Sequence, residues 1–380
     1  MRRGSAVAVI VTVVAVAGFA WFCASELPPA VQGEPDFPNY YFGGERLLAG
    51  EPIYGSLGPL VEERFGVASY EAYPADPPAT VILLSPLSLL PYETAWVALA
   101  VLSTVIMLGV GYGIGREVGW SQAVSVAAGT LLLVTSAGRF LLFRNHMESI
   151  LLLVLFLGWR ELRRGHEVSA GVWWGIATAL KLFPALLIVG LVAGRKRRAA
   201  IAATLTAAGV TVAAVAVAGW SNTVAFITDV LPMSGQWYGA LGNYSLLSFG
   251  TALVGTWLGW SLLAIGCIAL VATYSSGART ADEIWIAGMA AALLITPLGW
   301  LNYLVLVLPG LMVVIDKFDL REVRDRWLAI GLAVALGFWG PIVLGSKLPS
   351  VLLSFIPTYG LIALFLTAMR RPWSKRLSYL

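Results

Sequence analysis

The chain has 380 residues, of which 58% are hydrophobic and only 12% are charged. Because about 25% of the residues in a soluble globular protein are charged, this composition excludes a water-soluble enzyme or a nucleic-acid-binding domain and indicates a protein of the lipid bilayer. The net charge of +4 is informative only by location, since Lys and Arg in a multi-span protein mark the loops that face the cytoplasm.

Ten segments are predicted to cross the membrane. A transmembrane helix needs about 20 mainly apolar residues, and the first such run covers residues 5–25, behind Arg2 and Arg3. It is longer than the 7 to 15 residues of a typical signal-peptide core, so we interpret it as an uncleaved anchor. The other nine cover residues 78–115, 121–138, 145–160, 199–219, 251–274, 283–300, 303–316, 327–345 and 351–369.

These segments predict one all-α, polytopic membrane domain over residues 1–380. With alternating loops, 19 of the 25 Lys and Arg residues fall on the inner side, as the positive-inside rule requires. We therefore expect a multi-pass protein of the cell membrane with both termini in the cytoplasm. The two long loops, residues 26–77 and 220–249, then lie on the outer face, where chemistry is expected.

The segment over residues 170–194 is expected to be a broken or re-entrant pair of helices. It is apolar enough to span the membrane, but arginines at both of its ends favour the inner side. Pro184 lacks a backbone donor and disfavours helix in the residue before it, so the break is predicted around Lys181 to Pro184. Irregular backbone at membrane depth is tolerated where it is buried in protein or lines a cavity.

Asp36 is the candidate catalytic base. It lies in the first outer loop, followed by the aromatic residues Tyr40 and Tyr41. A carboxylate close to a low-dielectric environment gains proton affinity and can act as a general base. An isolated loop Asp is usually an ordinary solvated residue, but the aromatic and glycine-rich residues that follow favour the catalytic interpretation.

Cationic residues in two places could hold a phosphate. Arg139, Arg144 and His146 precede Glu148 in a connection expected at the outer side, and arginine binds phosphate as a planar fork. The alternative is a neutralised pair between Arg144 and Glu148 at positions i and i+4. Lys181 lies in an apolar segment, where a charge costs roughly 2.5 to 3.5 kcal/mol and indicates a functional site; the alternative is snorkelling to the inner interface.

Several polar and aromatic residues could contact the sugar or the acceptor. Asp76 precedes an apolar run, where interaction with the helix dipole is the simpler explanation. Tyr and Trp are also common at any membrane interface, which is the alternative for the others. The candidates are Tyr40, Tyr41, Asp76, Asn243, Trp300, Asn302 and Tyr303. No metal site is predicted, since the two cysteines, Cys23 and Cys267, lie in apolar runs without a Cys/His cluster.

In order along the chain, these segments resemble glycosyltransferase family 87, multi-span enzymes of the GT-C superfamily. The resemblance is carried by Asp36 with the sequence GEPIY over 50–54, by Tyr73-Pro74 with LSPLSLLP over 84–91, by GIATALKLFP over 175–184, and by residues 296–303, TPLGWLNY.

The resemblance implies a glycosyltransferase that moves a sugar from a polyprenyl phosphate to a lipid-anchored or cell-envelope glycan at the outer face. Mannose is the expected sugar, and Asp36 is the expected base of an inverting reaction. Arg144 and Lys181 are candidates for the phosphate side on charge chemistry. No cofactor or metal is needed, because cationic side chains can stabilise a phosphate leaving group.

Two departures from the family pattern leave alternatives open. The family often has Gly-Gln where this chain has Asn145-His146, and a His where this chain has Asn302. Either His146 compensates for the missing His, or this chain uses a different donor or acceptor. Polyprenyl-phosphate arabinose is one such donor, and a lipid-linked-sugar flippase is a further alternative, although the asymmetric outer loops favour the enzyme over a transporter with repeated halves.

Overall fold

A computed structural model describes residues 2–25, 36–66, 74–274, 279–339 and 351–370. Within these ranges the fold is all-helical, with one isolated antiparallel bridge between Asn243 and Trp300. The all-α class predicted from the sequence is therefore confirmed. Parts of the first outer loop, residues 26–35 and 67–73, and the end of the expected span 327–345 from residue 340 lie outside the described residues.

The helices are numbered in chain order. The α-helices are α1 (Arg2–Ser25), α2 (Asp36–Ala49), α3 (Gly58–Phe65), α4 (Pro78–Leu84), α5 (Tyr92–Glu117), α6 (Gln122–Val134), α7 (Ser136–Arg144), α8 (Glu148–Arg163), α9 (Glu167–Leu180), α10 (Ala185–Ala193), α11 (Arg197–Ala218), α12 (Trp220–Ala225), α13 (Leu231–Met233), α14 (Leu246–Leu253), α15 (Thr256–Tyr274), α16 (Ala281–Ile295), α17 (Leu308–Asp316), α18 (Val323–Ala333), α19 (Val351–Ser354) and α20 (Ile356–Arg370). Short 3-10 helices cover Ser85–Leu89, Ser234–Trp237 and Leu301–Leu306, and π-helical turns cover Phe226–Val230 and Val334–Phe338.

Among the described residues, four helices are long and apolar enough to cross a membrane, or five if one bent pair counts as a single span. The four lie in α1, α5, α11 and α15, and the bent pair is α6 with α7. The predicted number of ten crossings is therefore not confirmed. The difference arises because several of the apolar segments are divided by helix breaks into pieces too short to span alone.

Two predicted spans are corrected in this way. The segment 78–115 is not one helix. The prolines near its start divide its first part into α4 and the 3-10 helix Ser85–Leu89, and α5 begins at Tyr92. The segment 121–138 bends by 58° between α6 and α7, since Thr135 adopts an extended conformation and caps α7 through its side chain. Residues 138–144, expected in a loop, are helical as part of α7.

The centre of the molecule is a large apolar core around α16, in which the residues from Asp282 to Leu294 are all buried. Trp159 of α8 and Trp285 of α16 pack there with ring centroids 4.8 Å apart, and Trp159 donates a hydrogen bond of 2.9 Å to the Asp282 carboxylate. Helix α16 begins with a capping box between Thr280 and Glu283, which fixes its first turn.

The loop that is predicted to lie on the outer face contains helices that pack on the bundle. Helix α2 buries Phe37 and Tyr41 against Tyr92 of α5, with ring centroids 5.2 and 5.1 Å from the Tyr92 ring. Tyr41 also donates a hydrogen bond of 2.8 Å to the carbonyl of Leu90. This aromatic contact fixes the start of α2 at the surface of the membrane bundle.

The predicted break around Lys181 to Pro184 is confirmed. Helix α9 ends at Leu180 and α10 begins at Ala185. Lys181 is extended, with φ −141° and ψ 138°, and the carbonyl of Leu180 accepts a hydrogen bond of 2.6 Å from the Thr80 hydroxyl of α4. A neighbouring helix thus satisfies a buried carbonyl that the break leaves without an intrahelical partner.

Candidate active site

Asp36 is the first residue of α2 and lies at the accessible end of a buried charged cluster. Its Oδ2 is 3.3 Å from Nε2 of His146 and 3.6 Å from Nη1 of Arg144. The Asp36 side chain is 28% exposed, so a substrate hydroxyl can reach it. An acidic residue in the first turn is also stabilised by the positive end of the helix dipole.

A tight reversal after α7 brings the two cations to Asp36. Asn145 follows α7 with φ 52°, a left-handed conformation that Gly and Asn adopt most readily. The Asn145 amide donates a hydrogen bond of 2.7 Å to the carbonyl of Trp96 in α5. Asn145 therefore holds Arg144 and His146 beside α2.

His146 lies between two carboxylates. Its Nδ1 is 2.6 Å from Oε2 of Glu148 and 2.8 Å from the hydroxyl oxygen of Tyr40, while its Nε2 faces Asp36. The Tyr40 ring packs edge-on against the imidazole, with centroids 5.5 Å apart. The His146 side chain is 13% exposed, and that of Glu148 is fully buried.

Lys181 is buried at the helix break and paired with carboxylates. Its Nζ forms an ion pair with Asp76 and lies 3.3 Å from Oε1 of Glu148. It also donates a hydrogen bond of 3.2 Å to the Tyr303 hydroxyl. Its side chain is only 9% exposed, so the alternative of snorkelling to the interface is wrong.

The cluster is balanced in charge. When His146 is protonated, three cations, Arg144, His146 and Lys181, face three carboxylates, Asp36, Asp76 and Glu148. Buried charges persist when they are paired in this manner, because the loss of hydration is offset by mutual attraction. An anionic ligand that entered at the accessible end would compete with Asp36 for Arg144.

The protonation of Asp36 follows from these neighbours. Burial alone would raise the pKa of the Asp36 carboxyl, but the charges of His146 and Arg144 outweigh burial and hold the pKa below its ordinary value. Burial alone would lower the pKa of His146, whereas the Glu148 and Asp36 carboxylates raise it to about 10. The expected net increase in the proton affinity of Asp36 is therefore not found, because the nearby cations outweigh burial.

Tyr40, Asp76 and Tyr303, predicted as sugar or acceptor contacts, belong to the charged cluster. Asp76 does not cap α4, whose N-cap residue is Pro77 with no side-chain cap hydrogen bond; it pairs with Lys181 instead. Tyr54 donates a hydrogen bond of 2.8 Å to the Asp76 carbonyl, which helps to hold this residue in place.

Other predicted contacts lie elsewhere or have structural partners. Asn243 is fully buried; its Nδ2 donates a hydrogen bond of 3.0 Å to the carbonyl of Pro297, and its Oδ1 accepts one of 2.8 Å from the backbone N–H of Gly299. It thus joins the loop over residues 220–249 to the turn before Trp300. The Trp300 ring packs edge-on against Trp237, with centroids 5.7 Å apart. Tyr41 supports α2, as described above.

Arg139 and Asn302 complete the predicted set. The Arg139 guanidinium lies over the Phe22 ring of α1, 5.3 Å from its centroid. Asn302 is buried next to Tyr303, and among the described residues its Nδ2 has no hydrogen-bond partner. A buried amide without a partner is costly, which makes Asn302 a candidate donor to a ligand.

Glu148 is the site residue that the sequence interpretation undervalued, because it was considered only as a partner for Arg144. A signal was available, since Glu148 begins an apolar helix and an ionisable residue in such a segment indicates function, as for Lys181. In the described part of the chain, no group of three or more His, Cys, Asp and Glu side chains is arranged to hold a metal ion.

An all-helical protein with several apolar helices and a charged cluster at the start of α2 is consistent with a membrane glycosyltransferase. The family model for glycosyltransferase family 87 matches residues 75–309, more than half of the chain, and the chain belongs to this family. The resemblance inferred from the sequence is thereby confirmed.

Among solved structures, the chain is similar to the crystal structure of ArnT from Cupriavidus metallidurans bound to undecaprenyl phosphate. The two sequences are 17% identical, and the match covers 94% of this chain and 69% of that one with a TM-score of 0.41. A likeness at this level gives no support for a shared substrate. No curated protein matches the chain.

Proposed function

We propose that this glycosyltransferase transfers mannose from polyprenyl-phosphate mannose to a lipid-anchored or cell-envelope glycan at the outer face of the cell membrane. Asp36 is the general base. The acceptor hydroxyl oxygen attacks the anomeric carbon, the bond from that carbon to the phosphate oxygen breaks, and Asp36 takes the hydroxyl proton. Polyprenyl phosphate leaves with the electron pair, and the anomeric configuration inverts.

The observation that carries this proposal is the position of Asp36. It is the most exposed of the three clustered carboxylates, at 28%, compared with 9% for Asp76 and 0% for Glu148. Its lowered pKa keeps it ionised at neutral pH, so it can accept a hydrogen bond from the acceptor hydroxyl and orient it. Glu148 and Asp76 are too deeply buried for direct contact with an acceptor.

Arg144 is the best candidate to hold the donor phosphate. Its side chain is 27% exposed, and its guanidinium can bond two phosphate oxygens at once. His146 lies beside it, with a pKa raised to about 10 that favours the positive charge, and Arg139 lies five residues earlier in α7. Lys181 is more deeply buried and supports this region indirectly, because its own charge is already balanced by Asp76 and Glu148.

Asn302 and Tyr303 are candidates for contacts with the sugar. Tyr303 lies next to His146, with ring centroids 6.5 Å apart, and stacks on Phe183 at 5.4 Å. This proximity favours the alternative in which His146 compensates for the late-span His that Asn302 replaces. A protonated imidazole at this position can stabilise negative charge on the departing phosphate.

The proposal is tested with purified full-length protein, radiolabelled polyprenyl-phosphate mannose and a lipid extract as acceptor. We expect transfer by wild type and its loss in Asp36→Asn. Glu45→Gln is the matched control, since Glu45 is an exposed carboxylate on the same helix, and it should retain transfer.

Each outcome separates the alternatives. Transfer that survives Asp36→Asn would remove Asp36 from its role as base and keep the enzyme class. Transfer from polyprenyl-phosphate arabinose but not from the mannose donor would make the chain an arabinofuranosyltransferase. Movement of labelled lipid across vesicles in the absence of any transfer would favour the flippase alternative.

A further inference from the structure

Glu148 is a buried carboxylate that the proposed reaction does not use directly. It is the first residue of α8, and its side chain has no exposed surface. Its two oxygens face different cations, with Oε2 2.6 Å from Nδ1 of His146 and Oε1 3.3 Å from Nζ of Lys181. Removing a carboxylate from water is costly unless it is compensated, and these two cations supply the compensation.

The ring of His146 is held at both nitrogens. Glu148 and Tyr40 face Nδ1, and Asp36 faces Nε2. A ring nitrogen that faces a carboxylate oxygen is stabilised as N–H, and the imidazole carries N–H at both positions only as the cation. Charged and titratable groups from four elements face His146: Asp36 and Tyr40 from α2, Arg144 from α7, Glu148 from α8, and Tyr303 from the 3-10 helix Leu301–Leu306. Lys181 and Asp76 lie behind Glu148.

The exposed fraction of the side chain rises from 0% for Glu148 to 13% for His146 and 28% for Asp36. Substrate can therefore meet Asp36, while Glu148 can act only through the imidazole ring between them.

We propose that Glu148 is a positioning residue, which holds the His146 imidazolium in the orientation that aims Nε2–H at the Asp36 carboxylate. This inference rests on the proposed function, since it assigns Glu148 to the support of the same base.

The chain contains only two histidines, His146 and His166, so the imidazoles can be observed separately by NMR. Full-length protein labelled with ¹⁵N-histidine is reconstituted in nanodiscs, and His166→Gln identifies the His146 signals. We expect wild-type His146 to carry protons on both nitrogens at pH 7. In Glu148→Gln its titration midpoint should fall by about 1 to 3 pH units, because an opposite charge in contact is removed.

Glu161→Gln is the matched control, since Glu161 pairs with His166 at 2.8 Å. It should change the His166 signals and leave His146 unchanged. Glu148→Asp keeps the charge and should keep His146 protonated, which provides a second test if the Gln variant folds poorly. In transfer assays we expect Glu148→Gln to lower kcat at least tenfold with little change in KM for the donor, and Glu148→Asp to recover part of the loss.

A neutral His146 in wild type at pH 7, or an unchanged His146 midpoint in Glu148→Gln, would overturn the inference. These NMR results do not depend on the substrate. If no sugar transfer is found with any donor but His146 is a cation that responds to Glu148, the proposed function fails and the assignment of Glu148 as the residue that orients His146 stands.

Discussion

At the residue scale, the main finding concerns Lys181. The sequence indicates that a lysine in an apolar segment has a function, and the structure gives it two carboxylate partners, Asp76 and Glu148. Asp76 precedes α4 and Glu148 begins α8, so this one ammonium group joins three segments of the chain. Its first role is therefore to hold the cluster together.

Lys181→Met should destabilise the protein by about 3 to 5 kcal/mol, because it leaves two buried carboxylates without their cation. The double variant Lys181→Met with Asp76→Asn should be more stable than the single variant, since one of these carboxylates is neutralised. Thermal unfolding in detergent measures both. Lys196→Met is the control: it breaks a partly exposed pair with Glu167 and should cost at most about 1 kcal/mol. A double variant no more stable than Lys181→Met would contradict the pairing of Lys181 with Asp76.

Under the proposal that Asp36 is the base, the acid limb of the pH–rate profile should report on this carboxyl. Arg144 is one of the cations that lower the pKa of this carboxyl. In Arg144→Met that pKa should rise, so Asp36 becomes protonated at a higher pH, and the acid limb of kcat/KM should move upward by about 1 pH unit or more. Arg64→Met is the control, because Arg64 pairs with Glu93 at the surface. A limb that does not move would argue against Asp36 as the base or against its coupling to Arg144.

At the element scale, α2 has to pack very closely on the 3-10 helix Ser85–Leu89 to carry Asp36 into the cluster. A Cβ added to Gly44 would lie 2.9 Å from Cα of Ser85 and closer still to the Ser88 hydroxyl. Ser88 also donates a hydrogen bond of 2.7 Å to the carbonyl of Tyr41. The glycine is needed here because the backbones leave no room for a side chain.

Gly44→Ala should therefore shift α2 and move Asp36 away from His146. A displacement of about 1 Å at a catalytic group can cost about 100-fold in rate, so we expect a large loss of transfer in a protein that still folds. Gly209→Ala in α11 is the control, since a Cβ there meets nothing within 4 Å. Equal transfer by wild type and Gly44→Ala would show that the position of α2 is not critical.

At the scale of the whole molecule, much of the apolar surface is turned outward. Helices α1, α5, α11 and α15 each contain an apolar stretch of 18 residues. Only 17% of this stretch is buried inside the protein in α1, 17% in α11 and 11% in α15, compared with 44% in α5. Exposed apolar surface of this extent marks contact with lipid or with another protein, and on helices long enough to span a bilayer it indicates lipid. The multi-pass membrane location thus follows from the fold, and the sidedness stays a prediction from the distribution of Lys and Arg.

Sidedness is measured with single cysteines in a variant that lacks Cys23 and Cys267. Glu63 in α3 and Arg321 before α18 are both exposed and belong to the predicted outer and inner faces. Glu63→Cys should react with a membrane-impermeant maleimide in intact cells, and Arg321→Cys only after permeabilisation. The reverse pattern would invert the topology and move the Asp36 cluster to the cytoplasmic face.

By itself, the sequence determined the membrane class, the family, the helix break before Pro184, and Asp36, Arg144, His146 and Lys181 as candidate site residues. These conclusions depend on signals that act locally, because hydropathy, proline geometry and an unusual charge are properties of a few adjacent residues. The number of spans stays a prediction, since long apolar stretches do not reveal where a helix bends.

The tertiary structure decided which charges meet. Asp36 and His146 are 110 residues apart in the chain, and Asp76 and Lys181 are separated by 105, yet each pair is in contact. Such pairings depend on the packing of α2, α4 and α8 around the break at Lys181, which no local pattern encodes. For the same reason, Glu148, considered from the sequence as a partner of Arg144, is the buried carboxylate between His146 and Lys181. The pKa of Asp36 is lowered by its cationic neighbours, although burial alone would raise it.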